Sequence, residues 1–588
     1  MTTVAPNLCQ KCFTVTFDHT KCSENGTYAI LLQGSTVAAD LFAVCQSDGG
    51  DICMSTDAAG ANQIAIEIVS ISTGGSTIEL WFPGTINTST DVAFTVWYGS
   101  ISGTLAQPAV GASFGARAVW TSVGSMDGVF HLPNGSSLTA NDSTSNANNG
   151  TITGATATTG KINGGAAFSG TGQFIGMTGM PNYLKTSAFS LSAWIKITTI
   201  GAQQVFAARW DVVSHPGWFW NVNAAGQVEL YLVNADGSAK RARRGGTVLT
   251  GGTTYKLNAT YDGSNTAAGI KVYVNGVLET MTLLGDSDPG TLASGTTFLG
   301  KYNYSSPSAF TGTIDEYRSE GATSSANRIL TDYNIQSATC ITVGTVLFSP
   351  PFYDATSTTG YQSIPTASAN ITHVTSTLGS RFLLTEVSLL SAAGTTVSSI
   401  TYNSVAMTLI GVKTDATNVF RTELWGLIAP ATGSNTIAVT MSGSAIWVGS
   451  AVSYTNVHQT TPYEGFAGAT ALNGGSPADA TVNITTVAAQ DLVVSAVTTN
   501  DSSITAGTGT TAKQNATGAS GSAGLGIQVP TVSAATVAPD WTNIGAAQIW
   551  SIAAVAVRPV SAASVVAGGA GIIGCGCSGD GGNYILCG

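Results

Sequence analysis

The chain of 588 residues is long enough for roughly three to four domains, each with a core of its own. It carries 21 Lys+Arg against 32 Asp+Glu and only 9% charged residues, so it lacks the basic face that nucleic-acid binding needs. Helix-favouring straight-chain residues are scarce, whereas Gly, Thr, Ser and Val are abundant, and this composition predicts an all-β protein.

The N-terminal part, residues 1–112, is predicted to be a small β-domain with a cysteine-rich start. Its segments QIAIEIVSI (63–71), STIELWFPG (76–84) and DVAFTVWYGS (91–100) alternate apolar and polar residues as half-buried strands do. The segment PAVGASFGA (108–116) predicts a linker. The first residues lack a basic start followed by an apolar run, so no secretory signal is expected.

Nine cysteines are spread unevenly along the chain. Cys9-x-x-Cys12 has a metal-type spacing, but no second close pair or histidine follows at the usual interval, which favours disulfides or idle thiols over zinc. The odd total leaves at least one cysteine free or paired with another chain, and the glycine-rich C-terminal tail suits such a cross-link best. The candidates for disulfides or inter-subunit bonds are Cys9, Cys12, Cys22, Cys45, Cys53, Cys575, Cys577 and Cys587, while Cys340 stands alone.

The span 117–337 is predicted to hold a second series of regular strands. Asp-Gly and Asn-Gly pairs mark its turns, and Asn275-Gly276 between two apolar runs predicts a tight hairpin. The strand segments are FSLSAWIKIT (189–198), QVELYLVNADG (227–237), YKLNATYDGS (255–264) and GIKVYVNGVLE (269–279).

The span 338–560 is predicted to be a C-terminal β-sandwich or jelly roll. It contains several strand-like segments at a spacing of roughly 10–15 residues, which suits two packed sheets. Its most apolar stretch, residues 544–557, is too short to cross a bilayer, so no membrane span is expected. Residues 561–588 form a Gly/Cys-rich tail with too little apolar bulk for a core.

The middle span resembles the laminin-G-like, concanavalin-A-like jelly-roll family, which is common in bacterial and phage surface proteins. The resemblance covers about residues 125–336 and implies a two-sheet jelly roll. It is carried, in order, by DGVFHLPNGSSLTANDSTSNANNGTITGA, GKINGGAAFSGTGQFI, FSLSAWIKI, LNATYDGS, KVYVNGV and FTGTIDEYRSEGATSSANRI. The N-terminal part resembles a small β-domain of unknown function that often precedes such domains, through AIEIVS, IELWFPGTI and FTVWYGS.

The charged segment FTGTIDEYRSEG (310–321) raises the question of catalysis. Glycan hydrolysis needs two carboxylates facing each other across the scissile bond. In a regular strand the adjacent Asp315 and Glu316 point to opposite faces, and Glu320 is too far along the strand to pair with Glu316. We therefore expect no enzyme. The resemblance implies a structural role instead, in which Asp315 or Glu316 accepts hydrogen bonds from backbone or from Arg318 at a sheet margin.

The segment HPGWFWNVN (215–223) is the candidate glycan-binding site. Strand alternation sends Trp218 and Trp220 to one face and Phe219 to the other. Flat aromatic rings stack on sugars, and Asn221 would add hydrogen bonds to sugar hydroxyls. The alternative is that both indoles fill the core, where tryptophan is common.

Two further patterns suggest ligands of other kinds. Asp262, Asp286 and Asp288 lie on turns and supply the hard oxygen atoms that calcium takes, although ordinary Asp-rich turns have the same composition. The run KRARR (240–244) concentrates positive charge. It predicts a solvated hairpin end or, alternatively, a contact with an acidic partner or a phosphate-bearing glycan.

These observations predict a non-enzymatic virion structural protein exposed on a phage particle as a head decoration, fibre or tail-associated protein. Its modules are of an extracellular type without a visible export signal, which fits release by lysis. Its partners would be capsid or tail proteins and host-surface glycans, and it would form a homo-oligomer or assemble on a symmetric particle. The alternative is a bacterial cell-surface adhesin or carbohydrate-binding protein.

Overall fold

Strands dominate the fold, as the composition predicts, and the all-β class is confirmed. None of the described helices combines the length and the apolarity needed to cross a membrane. A computed structural model describes residues 2–34, 37–100, 104–133, 138–170, 172–211, 215–292, 295–301, 310–337, 340–391, 394–471, 479–487, 490–528, 535–542, 544 and 548–560.

The first 121 residues contain nine strands and two short helices among their described positions. The helices are α1 (Ala39–Val44) and α2 (Ala116–Thr121). The strands are β1 (Thr2–Thr3), β2 (Cys9–Phe17), β3 (Gly26–Gln33), β4 (Cys53–Ser55), β5 (Gln63–Ile64), β6 (Glu67–Ser72), β7 (Thr77–Ile86), β8 (Val92–Ser100) and β9 (Leu105–Ala106).

The jelly roll follows and ends with the helix α3 (Ala326–Ser337). Its strands are β10 (Met126–Phe130), β11 (Gly150–Thr153), β12 (Thr156–Ile162), β13 (Gly164–Ser169), β14 (Phe174–Met177), β15 (Ala188–Ile197), β16 (Gln204–Asp211), β17 (His215–Val222), β18 (Gln227–Val233), β19 (Lys240–Val248), β20 (Thr254–Asp262), β21 (Ile270–Val274), β22 (Val277–Leu278), β23 (Thr282–Asp286), β24 (Thr297–Leu299) and β25 (Thr311–Glu320).

The C-terminal part is built from strands alone in the residues that the structure describes. They are β26 (Ile341–Val343), β27 (Leu347–Phe348), β28 (Phe352–Thr358), β29 (Thr366–Thr375), β30 (Phe382–Ser391), β31 (Val397–Tyr402), β32 (Val405–Ala406), β33 (Thr408–Thr414), β34 (Arg421–Ile428), β35 (Gly433–Thr455), β36 (Tyr463–Ala471), β37 (Ala480–Thr481), β38 (Ile484–Thr485), β39 (Leu492–Thr499), β40 (Thr505–Ala506), β41 (Thr510–Gly518), β42 (Gly521–Gln528), β43 (Thr536–Val537), β44 (Asp540–Thr542) and β45 (Trp550–Val557).

Two antiparallel sheets pack face to face in the jelly roll. The first has the order β12-β13-β25-β15-β20-β21-β22, with β10 also paired to β25, and the second has the order β11-β14-β24-β16-β17-β18-β19-β23. The predicted hairpin joins β21 to β22, where Asn275 and Gly276 have φ values of 50° and 80°. Positive φ at both positions suits an Asn-Gly turn.

The N-terminal part is a second, smaller sandwich that the chain revisits after the jelly roll. Its sheets have the orders β26-β2-β8-β4-β5 and β3-β7-β6, and β27 also pairs with β2. The strands β26 and β27 lie within the span predicted as the C-terminal sandwich, yet they extend the N-terminal sheet. This sandwich therefore contains chain from both sides of the jelly roll.

The C-terminal part contains three successive cores. The long strand β35 pairs with β29 and β31 along its first half and with β28 and β30 along its second half, so one sheet curls over the first core. Its β30–β34 face then packs on the sheet β36-β45-β39-β42-β41, which forms the second core. The far side of that sheet covers the third core, around Trp541 and Ile552.

Candidate functional site

Trp218 and Trp220 lie inside the jelly roll, where they are 1% and 0% exposed. The ring of Trp220 contacts Phe206 edge to face at 4.6 Å, and Asn221 is fully buried and donates to Glu229 at 3.1 Å. Phe219 points the other way, as strand alternation predicts. The two indoles face the core, however, so neither offers a ring face on which a sugar could stack.

The three aspartates proposed for calcium lie at or just beyond the ends of β20 and β23, and each already has a donor. Asp286 accepts from Ala267 N at 2.8 Å and pairs with Arg241 at 3.0 Å, while Asp262 accepts from the backbone N–H of residue 264 at 2.9 Å. The Lys185 ammonium, 2.8 Å away, lowers the pKa of Asp288 to about 2. They do not form one of the three-residue groups with ligand atoms within 4.8 Å of one another among the described residues.

Such groups do occur at two other places in the described chain. Asp18, His19 and Asp91 lie near the surface, with His19 Nδ1 2.6 Å from Asp91 Oδ1. The second group, Glu79, His131 and Glu316, is completely buried and belongs to a larger network of charges.

The described cysteines are free thiols in the structure, and most are buried. Burial raises the pKa of Cys12 to about 12 and that of Cys45 to about 11. Cys9 lies beside Cys53, and burial again raises its pKa well above the usual value. Cys9, Cys12 and Cys45 are therefore protonated thiols at neutral pH in the absence of a metal. The tail residues Cys575, Cys577 and Cys587 lie outside the described residues.

The strand β25 departs from regular alternation at the two adjacent carboxylates. Glu316 has a φ of 51°, and the register of β15 against β25 shifts between Ser192 and Trp194. This bulge turns Asp315 and Glu316 to the same side of the sheet, away from the core that contains Ile314. The expectation of opposite faces is therefore wrong here. β25 also lies inside its sheet, between β13 and β15, and not at a margin.

Glu316 is held as a buried carboxylate by two cations. His131 Nδ1 lies 2.5 Å from one carboxylate oxygen, and Arg318 donates to the other at 2.8 Å. Burial disfavours the charge, but His131 and Arg318 outweigh it and lower the pKa of Glu316 to about 2. Burial raises the pKa of the neighbouring Glu79 to about 8.

This charge network joins the N-terminal sandwich to the jelly roll. Glu67 of β6 lies 3.2 Å from His131 Nε2, and the Arg318 guanidinium stacks 4.5 Å above Trp81 of β7 and 4.8 Å from Trp120 of α2. Glu316, His131 and Arg318 are at most 4% exposed. The Glu316 carboxylate is consequently enclosed at this internal seam between the N-terminal sandwich and the jelly roll, and it faces no substrate groove.

Beside this seam an open pocket of about 190 Å³ lies on the outer face of the first jelly-roll sheet. Cross-strand register builds it in two rows. Thr313, Lys196 and Thr254 are directly opposite one another on β25, β15 and β20, and Asp315 and Trp194 form the next row. Opposed residues in a sheet have Cβ atoms about 4.5–5.5 Å apart on one face, so these side chains converge. The second half of β12 adds Thr159 and Lys161.

Trp194 and Asp315 form the buried floor of this pocket. Trp194 Nε1 donates to Gln336 at 2.8 Å, and the Lys161 ammonium lies 5.4 Å from the indole centroid. Asp315 Oδ2 accepts from Lys161 N at 2.7 Å and Ile162 N at 2.8 Å, whereas Oδ1 is buried without a hydrogen-bond partner. Burial raises the pKa of Asp315 well above its usual value, which favours the protonated form.

Gly160 lets the backbone approach Gly164 and Asp315 closely at the floor of the pocket. A Cβ there would lie 1.7 Å from the carbonyl oxygen of Gly164 and 2.6 Å from Asp315 Oδ2, so a side chain does not fit. Sequence reasoning missed this pocket, although a signal was present. In FSLSAWIKI the apolar Leu191 and Ile195 point into the core, so alternation leaves Trp194 outward and unexplained.

The remaining charged motifs lie elsewhere. The run KRARR (240–244) forms the start of β19, at the second sheet, and Glu320 accepts from Ser324 Oγ at 2.6 Å. Neither lines the pocket over Trp194, in which Asp315 is the one carboxyl among the described lining residues.

Comparison with known proteins identifies the middle of the chain. Residues 169–329 match the family model Laminin_G_3, described as the concanavalin A-like lectin/glucanases superfamily. No curated protein matches the chain.

Several solved structures are similar in part. The binding domain of Paraclostridial Mosquitocidal Protein 1 shares 11% identity at a TM-score of 0.29, over 42% of this chain and 61% of that one. The Ruminococcus gnavus IT-sialidase CBM40 bound to α2,3 sialyllactose shares 17% identity at 0.22, over 25% and 81%. Domain 4 of the Geobacillus stearothermophilus arabinanase AbnA with arabinotriose shares 23% at 0.27, over 35% and 97%. Residues 169–329 thus belong to a laminin-G-like, concanavalin A-like domain within a longer all-β chain.

Proposed function

We propose that this chain is a non-enzymatic surface protein that binds glycans through the pocket over Trp194. One observation carries the proposal, namely a buried carboxyl with an unpartnered oxygen in an open pocket whose lining also includes threonine hydroxyls and the largely buried indole of Trp194. Ligand sites combine an apolar wall with a few polar groups that converge on the ligand. Sugars need this combination because each ring has a C–H face and a rim of hydroxyls.

The size of the pocket favours a single sugar ring over a larger molecule. At about 190 Å³ it is smaller than the roughly 300–1,000 Å³ of sites for drug-sized ligands. The hydroxyls of Thr159, Thr254 and Thr313 can each donate and accept, which suits sugar hydroxyls. The unpartnered Asp315 oxygen gains a hydrogen bond only when a ligand or water fills the pocket.

The carboxylates argue for binding without chemistry. Hydrolysis uses an acid and a second carboxylate separated by about 5–9.5 Å across the bond. Glu316 is engaged by His131 and Arg318 inside the seam, which leaves Asp315 alone in the described pocket. A protonated Asp315 without a partner carboxylate can hold a sugar but lacks the group that would complete its cleavage.

A glycan array tests the binding function with the full-length protein. The double variant Thr254→Val and Thr313→Val removes two hydroxyls while keeping side-chain shape, and we expect glycan retention to fall at least tenfold. The matched control is Thr282→Val on the exposed strand β23 of the other sheet, which should leave retention unchanged. Full retention by the double variant would refute this pocket as the site.

For the setting of this function we propose the surface of a phage particle, with a bacterial cell surface as the alternative. The low content of charged side chains and the short turns between strands suit a stable shell exposed to proteases. Mass spectrometry of density-purified particles beside washed cell envelopes would distinguish the two. Stoichiometric peptides in the particle fraction support the virion setting, and peptides in the envelope alone contradict it.

A further inference from the structure

We infer that the pocket over Trp194 selects acidic sugars, with the sugar carboxylate held by Lys161 and Lys196. The inference rests on the proposed glycan-binding function and adds the chemical class of the ligand. It follows from the charge of the pocket, from the protonation of its one carboxyl and from the position of the two ammonium groups.

Both lysines are uncompensated cations at one small site. Lys161 and Lys196 are exposed, and neither makes an ion pair with a carboxylate in the part of the chain that the structure describes. Several other cations of the chain have such partners, as Lys185 with Asp288 and Arg421 with Glu423 show. In a chain of net charge −11, two unpaired ammonium groups at one pocket form a local positive field.

The carboxyl on the pocket floor does not cancel this field. Asp315 is 1% exposed, and burial raises its pKa, which favours the neutral carboxyl over the charged one. The charge of Glu316 behind it is balanced by His131 and Arg318. Buried Lys256, directly opposite Trp194 on β20, lies on the same side of the sheet, and its ammonium is paired with Asp332 at 3.8 Å.

Register places the donors where an oxyanion can be held. Lys196 is flanked by Thr313 on one side and Thr254 on the other, so its side chain leaves the sheet between two threonines. Lys161 approaches over the indole from the other end of the pocket. A ring lying between these groups can direct its carboxylate to the two ammonium groups and its hydroxyls to the pocket floor at Asp315.

The test uses one oligosaccharide in three chemical forms, titrated into the full-length protein at low salt. The forms end in glucuronate, in the same ring with its carboxyl reduced to an alcohol, and in a sulfated neutral ring. We expect the glucuronate form to bind roughly tenfold or more tightly than the reduced form, because charge-assisted hydrogen bonds are stronger than neutral ones. The preference should weaken as salt rises.

Variants assign the preference to the two lysines. Lys161→Gln with Lys196→Gln should lower glucuronate binding to the level of the reduced form and change binding of the reduced form less than about twofold. Lys161→Arg with Lys196→Arg keeps the charge and should retain a preference. Lys271→Gln, an exposed lysine of β21 away from the pocket, is the matched control. Because both pocket lysines are exposed, the variants should keep the wild-type melting temperature.

The outcomes distinguish failure of the acidic-sugar inference from failure of the proposed glycan-binding function. Equal binding of the glucuronate and reduced forms would overturn the acidic-sugar inference and leave glycan binding intact. Binding of the sulfated form alone would also overturn it, in favour of sulfated glycans. If no glycan of any charge binds, the proposed function fails together with the inference.

Discussion

Glu316 sets the charge arrangement at the centre of the molecule. Its left-handed backbone conformation places its carboxylate between His131 and Arg318 and leaves Asp315 facing the pocket. A buried charge is tolerated only when it is paired and hydrogen-bonded, and here one carboxylate satisfies two cations. Removing the carboxylate would leave both cations buried without their main counter-charge.

We therefore predict that Glu316→Gln lowers the free energy of unfolding by roughly 3–5 kcal/mol, the cost of breaking a buried ion pair. Urea denaturation followed by tryptophan fluorescence measures it. Asp262→Asn is the control, because Asp262 is exposed and its amide can still accept from the backbone. A surface change of this kind should stay within about 0.5 kcal/mol. Equal effects of the two variants would show that the seam charges contribute no stability.

At the scale of the strand, local pattern predicts pairing well and orientation less well. The turn at Asn275-Gly276 and the opposite faces of Trp218 and Phe219 followed from residue type and alternation. Alternation defines two faces but does not say which one meets the core, so the sequence leaves open whether the indoles of Trp218 and Trp220 meet a sugar or fill the core. The bulge at Glu316 was invisible because no glycine marks its positive φ.

Contacts between residues far apart in the sequence could not be predicted from local pattern either. The strand β26 pairs Val343 with Val15 across more than three hundred residues, and nothing in its three residues specifies that partner. The pocket over Trp194 has the same origin, since it combines residues of β12, β15, β20 and β25. Each contributes one or two ordinary side chains, and only the register brings them together.

The strand β30 carries a buried carboxyl between two packed sheets of the C-terminal part. Phe382 and Leu384 of this strand face the sheet that contains β39, and Ser388 on the same face accepts from Thr498 Oγ1 at 2.6 Å. Glu386 lies on the same face as these residues and is fully buried. Burial raises its pKa to about 8. The folded state thus keeps a proton that the unfolded chain loses above its ordinary pKa.

The sign of the resulting pH dependence follows directly. Between the unfolded pKa of about 4.5 and the folded pKa of about 8, the unfolded state binds fewer protons at Glu386, so stability falls as pH rises. His373, whose pKa burial lowers to about 4, acts in the opposite sense below about pH 6.5. The window from pH 6.5 to 8 lies above the titration of His373, and Glu79, whose pKa burial also raises to about 8, belongs to the N-terminal sandwich and not to the C-terminal part.

We predict that Glu386→Gln flattens the decline in stability of the C-terminal part across this window, where the wild type should lose up to about 2 kcal/mol. The amide keeps the shape of the side chain and has no proton to lose. Urea midpoints at pH 6.5 and 8 for both proteins measure the difference. Parallel declines in the wild type and the variant would show that another group titrates there.

The parts of the molecule that should unfold together do not correspond one to one with the domains along the chain. The N-terminal sandwich and the jelly roll share one apolar cluster that includes Trp81, Trp120 and Trp194, in addition to the charges around His131. The C-terminal part contacts the N-terminal sandwich through a smaller apolar cluster. In this cluster the ring centroids of Phe352 and Trp97 lie 5.7 Å apart. Two cooperative units follow, since cooperativity depends on shared buried surface.

Calorimetry of the full chain should accordingly show two main transitions. Arg318→Gln breaks the pair with Glu316 and the stacking on Trp81, so it should lower the melting temperature of one transition by several degrees and leave the other unchanged. Arg421→Gln is the matched control, because Arg421 pairs with buried Glu423 in the C-terminal part at 2.6 Å. It should shift the other transition alone. If either variant moves both transitions together, the chain unfolds as one unit and the smaller cluster at Phe352 couples its halves more strongly than its size implies.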